Sequence, residues 1–365
     1  MAILNAGNGA DGSITISVNK NINSDLVTGG RLYADGVYSK VNVIGASSVT
    51  LPTGLNGLAA GDEVMLINLM GRTGNIANAG NYEFFTVGSI VSNTVNFSQS
   101  VTKSYGDDGG NGNLISHPVM IQRIPNYVNV TIDSGAILTA DDPPEGASMP
   151  IELGGVVAFR CSDTLNISNG YINTNIKGYS GGGAKDSGYY DGYGIGGGKM
   201  VNEQGSGGGY GTAGEDGDDG SVGGTDYGVA NLSKLFLGSG GGSGDYNTWM
   251  QTGGDGGGII FVSAYTITIT TGGLTAKGGK GGGPDTQNGG GGSGGSIMVY
   301  GKDITIPNGT ITAEKGLAGD VDAGDGGDGR IAVFYDYLTG TLGDTTPAAY
   351  TEVDLQLPAA YKISG

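Results

Sequence analysis

An all-β fold is predicted for this chain: an N-terminal β domain, then a repetitive β-solenoid-like, layered region with packed, glycine-rich polyproline-II-like helices. Three observations predict it. A strand-patterned unit recurs along the chain, glycine runs sit at the ends of those units, and amphipathic helical periodicity is scarce.

The repeat is clearest in GGIIFVSAYTITITTGGLTAKGGKGGG from Gly257 and GGSIMVYGKDITIPNGTITAEKG from Gly294. They align without a gap, matching Ile267, Ile269, Gly272, Leu274 and Ala276 to Ile304, Ile306, Gly309, Ile311 and Ala313. A copy from Gly154 aligns with one inserted residue and pairs Leu165, Ile167, Gly170 and Ile172 to the same positions. Weaker copies begin at Val128 and Gly329. Each unit holds an apolar run, a turn and an alternating run such as Ile304-Thr305-Ile306, so each strand has one inward face. A single unit cannot bury that face, whereas a stack of units does.

Residues 1–150 are expected to form an N-terminal all-β attachment or assembly domain, because glycine is ordinary there and short apolar runs such as Val64-Met65-Leu66-Ile67 are frequent. Residues 151–337 are read as the glycine-rich repeat domain, and 338–365 as an extended C-terminal tail strapped over the core. The best short helix candidate is Val229 to Leu237.

Of the 78 glycines, 52 fall between Gly178 and Gly329. The strict three-residue period of collagen is missing and only Pro284 and Pro307 lie in that stretch, which excludes a collagen triple helix. Ordering so much glycine opposes folding by tens of kcal/mol at roughly 0.5–1 kcal/mol per residue relative to alanine. Compensation is expected from left-handed polyproline-II-like segments packed side by side, whose missing side chains let backbones bond laterally.

The net charge of −18 excludes nucleic acid and anionic membranes as partners, since phosphate binders need clustered Lys and Arg. No apolar run is long enough for membrane insertion, and the opening MAILNAGNGADG lacks the basic and apolar regions of a signal peptide. The lone Cys161 shares a two-residue spacing with Val157 and Phe159 and is read as an inert core thiol. One histidine, His117, and one cysteine supply neither a catalytic triad nor a zinc site. The abundant Asp residues sit beside Gly, as turn residues do, so no metal, cofactor or catalytic role is assigned to them.

The functional signal is aromatic. Tyr189, Tyr190, Tyr193, Tyr210, Tyr227, Tyr246 and Trp249 fall in the segments that interrupt the early glycine runs. Tyr and Trp offer large rigid contact area, with Asn, Ser and Gly adding adaptable hydrogen bonds. The competing reading is that these rings cap a glycine core that has no side chains of its own.

With runs such as Gly196-Gly197-Gly198 and Gly207-Gly208-Gly209, residues 178–329 resemble the polyglycine-sandwich adhesins at the tail-fibre tips of T-even-type bacteriophages. The resemblance implies a non-catalytic receptor-binding protein of a virion or extracellular surface, whose partners are a bacterial surface protein or glycan and a fibre protein. It implies receptor-facing segments at Ala184 to Tyr193, Thr225 to Leu237 and Asp245 to Thr252. The front half, with Gly61-Asp62-Glu63-Val64 and Phe84-Phe85-Thr86-Val87, looks more like a module of glycine-rich bacterial surface proteins. A structural subunit that self-assembles into an extracellular filament or sheath is therefore the alternative expectation.

Overall fold

The computed structural model of the protein describes residues 4–69, 76–106, 111, 114, 118–143, 153–183, 190–201, 203–244, 251–283, 288–306, 310–342 and 345–353. Among these the fold is all-β, with no α-helix. The chain opens with β1 (Ile14–Ile16) and β2 (Lys20–Asn21). Seven strands follow: β3 (Tyr38–Lys40), β4 (Val43–Ile44), β5 (Ser48–Thr50), β6 (Glu63–Asn68), β7 (Tyr82–Val91), β8 (Thr94–Phe97) and β9 (Val119–Ile124). Next come β10 (Asn126–Tyr127), β11 (Val130–Ile132), β12 (Ile137–Thr139) and the long β13 (Val156–Asn173). A short hairpin of β14 (Met200–Val201) and β15 (Gln204–Gly205) precedes β16 (Ile259–Thr275) and β17 (Ser296–Ile306). The chain then forms β18 (Thr310–Thr312), β19 (Arg330–Gly340), β20 (Thr345–Thr346) and β21 (Tyr350–Val353).

The backbone of the molecule is a 12-stranded parallel sheet whose main path is β1-β11-β13-β16-β17-β19-β21. Its register is the one the repeat alignment implies: Ile267 lies against Ile304, Leu274 against Ile311, and Leu165, Ile167, Gly170 and Ile172 against Ile267, Ile269, Gly272 and Leu274. The inserted residue of the first long copy is absorbed as a register shift between Cys161 and Thr164. Period-two alternation then sorts side chains to two faces. Val157, Phe159, Cys161, Leu165 and Ile167 join Ile260, Val262, Ile267, Ile297, Ile304 and Val333 in one enclosed core, the interior of the stacked coils. Each such fully buried aliphatic side chain contributes roughly 1.5–3 kcal/mol.

The opposite face of the first half of each long strand carries Val156, Ala158, Ile259, Phe261, Met298, Ala332 and Phe334, which build a second core. Against it lies the seven-stranded sheet β3-β9-β6-β7-β8-β5-β4. Its β6 is buried on both sides: Met65 and Ile67 enter this shared core, and Val64 and Leu66 enter a third core inside the smaller sheet. That two-sided burial accounts for the continuous apolar run in the sequence.

Two sequence boundaries are corrected. The expected division at residue 150 is not where sheet membership changes, because β1 and β2 pair in parallel with β11 and β12. The antiparallel unit, Tyr38 to Ile124, is thus inserted between the first two coils of the stack. At the other end the tail is not a strap as far as Val353: β20 and β21 continue the parallel pairing onto β18 and β19.

The glycine-rich segments form a layer without side chains. In 238–243, Gly238 and Gly241 donate to the carbonyls of Gly257 and Gly254, Gly240 and Ser243 to Tyr193 and Tyr190, and Gly242 to Ser206. In 289–294 the same period recurs: Gly289 and Gly292 donate to Gly282 and Gly279, Gly290 and Ser293 to Gly242 and Ser239, Gly291 and Gly294 to Gly324 and Gly327. Each neighbour is met every third residue, so buried N–H groups are satisfied between segments. The contacts exclude side chains. A Cβ on Gly207 would stand 1.7 Å from the Asp325 carbonyl oxygen, and one on Gly291 2.1 Å from that of Gly316.

Residues 229–237 are not helical. Leu232 has φ of 52°, and Leu232, Leu235 and Leu237 plug the core shared with the inserted sheet, with the Leu235 N–H on the Gly80 carbonyl at 2.9 Å.

Candidate receptor-binding site

Of the aromatic residues expected to face a receptor, those among the described residues, Tyr190, Tyr193, Tyr210 and Tyr227, do not form one exposed surface. Tyr189, Tyr246 and Trp249 lie outside the described residues. Tyr210 is fully buried, with its hydroxyl 2.7 Å from Ser296 Oγ, and is corrected from a receptor contact to a core residue. Tyr227 packs on it at 4.8 Å between ring centroids and donates its hydroxyl hydrogen to the Leu237 carbonyl at 2.9 Å. With Phe236 and the Arg330 guanidinium, 5.7 Å from the Tyr210 ring, these rings cap the glycine layer. Burial pushes the Tyr210 phenol up to about 12. Tyr193 is half-buried against the shared core, and Tyr190 is exposed. Of the three segments expected to meet a receptor, 225–237 turns Leu232, Leu235, Phe236 and Leu237 inward and leaves Thr225, Asp226 and 228–231 exposed.

The concave surface that the structure does assemble lies at the junction of the inserted sheet and the parallel stack. Arg160, Ser263, Tyr300 and Phe334 occupy the same register position on β13, β16, β17 and β19, facing the inserted sheet. Tyr82 and Phe84 of β7 meet them from the opposite side. Arg160, Ser263, Tyr300, Tyr82 and Phe84, together with Asn5 and Phe261, line a cavity of about 230 Å³, and Phe334 stacks on Tyr300 beside it. Its rings form a continuous track: Phe84 lies 4.8 Å from Phe261, Phe261 6.0 Å from Tyr300, Tyr300 4.4 Å from Phe334 in a stacked pair, and Phe334 6.0 Å from Tyr350. Phe261 and Phe334 are buried; Tyr82, Phe84, Tyr300 and Tyr350 keep part of their surface open. The tyrosine rings present apolar faces with a polar hydroxyl at the tip, and Phe84 an apolar face alone.

Arg160 holds the cavity together. Its guanidinium carbon sits 4.6 Å from the Phe84 ring and 5.4 Å from the Phe261 ring. Nε donates to Glu63 Oε2 at 2.8 Å, and Nη1 to the Asn5 carbonyl at 2.6 Å. The Ser263 hydroxyl donates to the same carbonyl at 2.6 Å. Burial raises the phenol of Tyr300 to about 12, so it is a neutral donor at physiological pH.

A second cavity of about 280 Å³ adjoins it beyond Asn5, lined by Asp11, Asp62, Glu63, Arg123 and Asn126. Its carboxylates are committed to partners. Arg123 Nη2 pairs with Asp11 at 2.7 Å and Asp62 at 2.8 Å, and the Asn126 N–H donates to Asp11 Oδ2 at 2.7 Å. Burial of Arg123 favours loss of its proton, but its bonds to Asp11 and the charges of Asp11 and Asp62 prevail and raise its pKa. Glycoside hydrolysis needs a carboxyl kept protonated near neutral pH beside a second, ionised one. Ion-paired carboxylates are poor candidates for that acid.

The Asp-rich turns serve the backbone. Asp219 accepts the N–H groups of Glu203 and Gln204 at 2.9 Å and of Ser221 at 3.0 Å; burial acts to raise its pKa, and these donors outweigh it, so the pKa falls. Asp325 accepts the Ala318 N–H at 2.7 Å and pairs with Lys315 at 2.9 Å.

The sequence reading missed the junction because its residues come from distant segments. One signal was available: the repeat alignment places Tyr300 on an outward row of a strand whose inward row is aliphatic.

No protein family matches the chain, and no curated protein does. Among solved structures it is similar to the tailspike gp61 of Pseudomonas phage phi297, at 10% identity and a TM-score of 0.22 over 91% of this chain and 40% of that one. It is similar to the tailspike gp49 of Pseudomonas phage LKA1 at 10% identity and 0.22, over 84% and 39%. A third is the gp54 tailspike of Acinetobacter baumannii bacteriophage AP22 in complex with A. baumannii capsular saccharide, at 9% identity and 0.18, over 95% and 68%. The chain spans about two fifths of the length of the first two.

Proposed function

We propose that this chain is a non-catalytic receptor-binding adhesin of a phage tail fibre or comparable extracellular surface, and that it holds a bacterial surface glycan or protein at the junction of its inserted sheet and parallel stack. The observation that carries the reading is the ring track from Phe84 through Tyr300 to Tyr350, opening beside the Arg160 guanidinium. Open aromatic faces next to fixed polar groups suit a sugar or an apolar side chain, and the neighbouring carboxylates are held in ion pairs rather than free for acid catalysis. The glycine layer, in this reading, is a packed array of polyproline-II-like helices that acts as a rigid support; its three-residue bonding period is the one a helix with three residues per turn produces.

The test is a pull-down of the purified protein on bacterial envelopes, with Tyr300→Ala and Tyr190→Ala compared. Retention of the parent chain with about tenfold weaker retention of Tyr300→Ala supports the junction as the site. Equal retention of both variants counts against it and returns the search to the segments between glycine runs.

A filament or sheath subunit is the second reading, and one feature favours it. Among the described residues the two ends of the parallel stack, β1 and β21, each pair on one side only, and unpaired strand edges template further chains. Electron microscopy over a concentration series separates the two: regular polymers favour the filament, discrete particles the adhesin.

A further inference from the structure

A second face of the parallel stack carries an ordered row of hydrogen-bonding side chains that the junction site does not use. Beyond the register shift that follows Cys161, the outward residues of successive strands are Thr15, Thr131, Asn166, Thr268, Thr305 and Thr339, each directly in register with the next. Their flanking residues, such as Ile267 and Ile269, point into the enclosed core and fix the row's orientation. All of these side chains keep exposed surface, and none makes a side-chain hydrogen bond to another described residue. Two residues back along each strand runs a parallel row containing Thr164, Thr266, Asp303 and Tyr337, also in register. Tyr337 is 67% exposed, the most open aromatic ring among the described residues.

We infer that this face binds an extended, neutral polysaccharide lying along the axis of the stack. Hydroxyl and amide groups both donate and accept, as sugar hydroxyls do, and they repeat at the strand spacing of about 4.7–4.9 Å. An extended polymer of sugar units offers a comparable repeat. The central row carries no charge on a chain whose net charge is −18, so it suits a neutral ligand better than an anionic glycan, nucleic acid or acidic protein. The open Tyr337 ring adds a stacking platform at the end of the second row. It also breaks the flatness that a surface ordering an ice-like water layer needs, and Asp303 and Asn166 interrupt the uniformity of such a layer.

The experiment is co-sedimentation of the full chain with insoluble cellulose, chitin and β-1,3-glucan. Retention of the parent on at least one polymer is expected, with about tenfold weaker binding for Thr268→Glu/Thr305→Glu and a smaller loss for Tyr337→Ala. These side chains are outward, so unchanged circular dichroism and melting are expected; Thr131→Glu alone is the second variant should the double variant fail to fold. Tyr300→Ala leaves this binding intact, which separates the ladder from the junction site. No retention on any of the polymers, or equal retention of the ladder variants, overturns the inference. Inhibition of ice recrystallisation without polysaccharide binding overturns it too and assigns the ladder to ordered water.

Discussion

Cys161 and Asp35 show how burial sets the chemistry of single residues here. Cys161 is fully enclosed in the core of the stack, its thiol donates to the Val128 carbonyl at 3.0 Å, and burial pushes its pKa up to about 11. The folded protein is therefore expected to resist a thiol reagent such as Ellman's at pH 8, and to react fully once unfolded in denaturant. Asp35 is buried, its Oδ2 taking the Tyr127 hydroxyl at 2.9 Å and its Oδ1 the Thr28 N–H at 3.1 Å, with Arg31 Nε at 3.5 Å. Burial raises its pKa, against the pull of these hydrogen bonds. A raised folded pKa means the native state holds the proton more tightly than the unfolded chain. That stability is complete below the unfolded carboxylate value of about 3.9 and is lost as pH rises through the folded value. Denaturant midpoints measured upward from pH 4 are expected to decline less in Asp35→Asn than in the parent. Tyr210 makes the same point for aromatic residues: its replacement by alanine should destabilise the fold by about 3–5 kcal/mol in denaturant titrations, as other large buried rings do.

At the scale of elements, the glycine layer is distinguished by contact distance rather than by flexibility. Segments meet backbone to backbone, so a methyl group has no room at Gly291, where a Cβ would stand 2.1 Å from the Gly316 carbonyl oxygen. Gly291→Ala is expected to lower stability by about 1–3 kcal/mol in denaturant titrations, whereas Gly30→Ala, where a Cβ meets nothing within 4 Å but φ is 73°, should cost only its local backbone strain. The strands themselves were legible in the sequence. Aligning Ile267 with Ile304 and Leu165 with Ile267 predicts the register observed, because a parallel stack places like residues over like. The first coil escaped notice because its Ser13-Ile14-Thr15-Ile16 stretch is short and separated from its neighbour β11 by the whole inserted sheet. Local pattern cannot reveal that strands more than a hundred residues apart will pair. Likewise Val229 to Leu237 is the best short helix candidate in the sequence, yet its Leu232, Leu235 and Leu237 fill a core between a glycine layer and a sheet, where tertiary packing decides the backbone.

For the whole molecule, three layers meet at one core: the parallel stack, the inserted antiparallel sheet and the glycine layer, which contribute Phe261, Met65 and Leu237 respectively to a single cluster. That convergence creates the cavity around Arg160, and no single stretch of sequence foretells it. The aromatic residues between the glycine runs were the visible candidates, but Tyr210 and Tyr227 are drawn inward because a layer without side chains needs large rings at its margin. In the proposed function the junction holds a surface ligand without cutting it. The most direct measurement incubates the protein with bacterial envelope polysaccharide and follows both retention and the appearance of new reducing ends. Retention that falls with Tyr300→Ala, with chain length unchanged, is the predicted result; shortened chains, or retention indifferent to Tyr300, would contradict it.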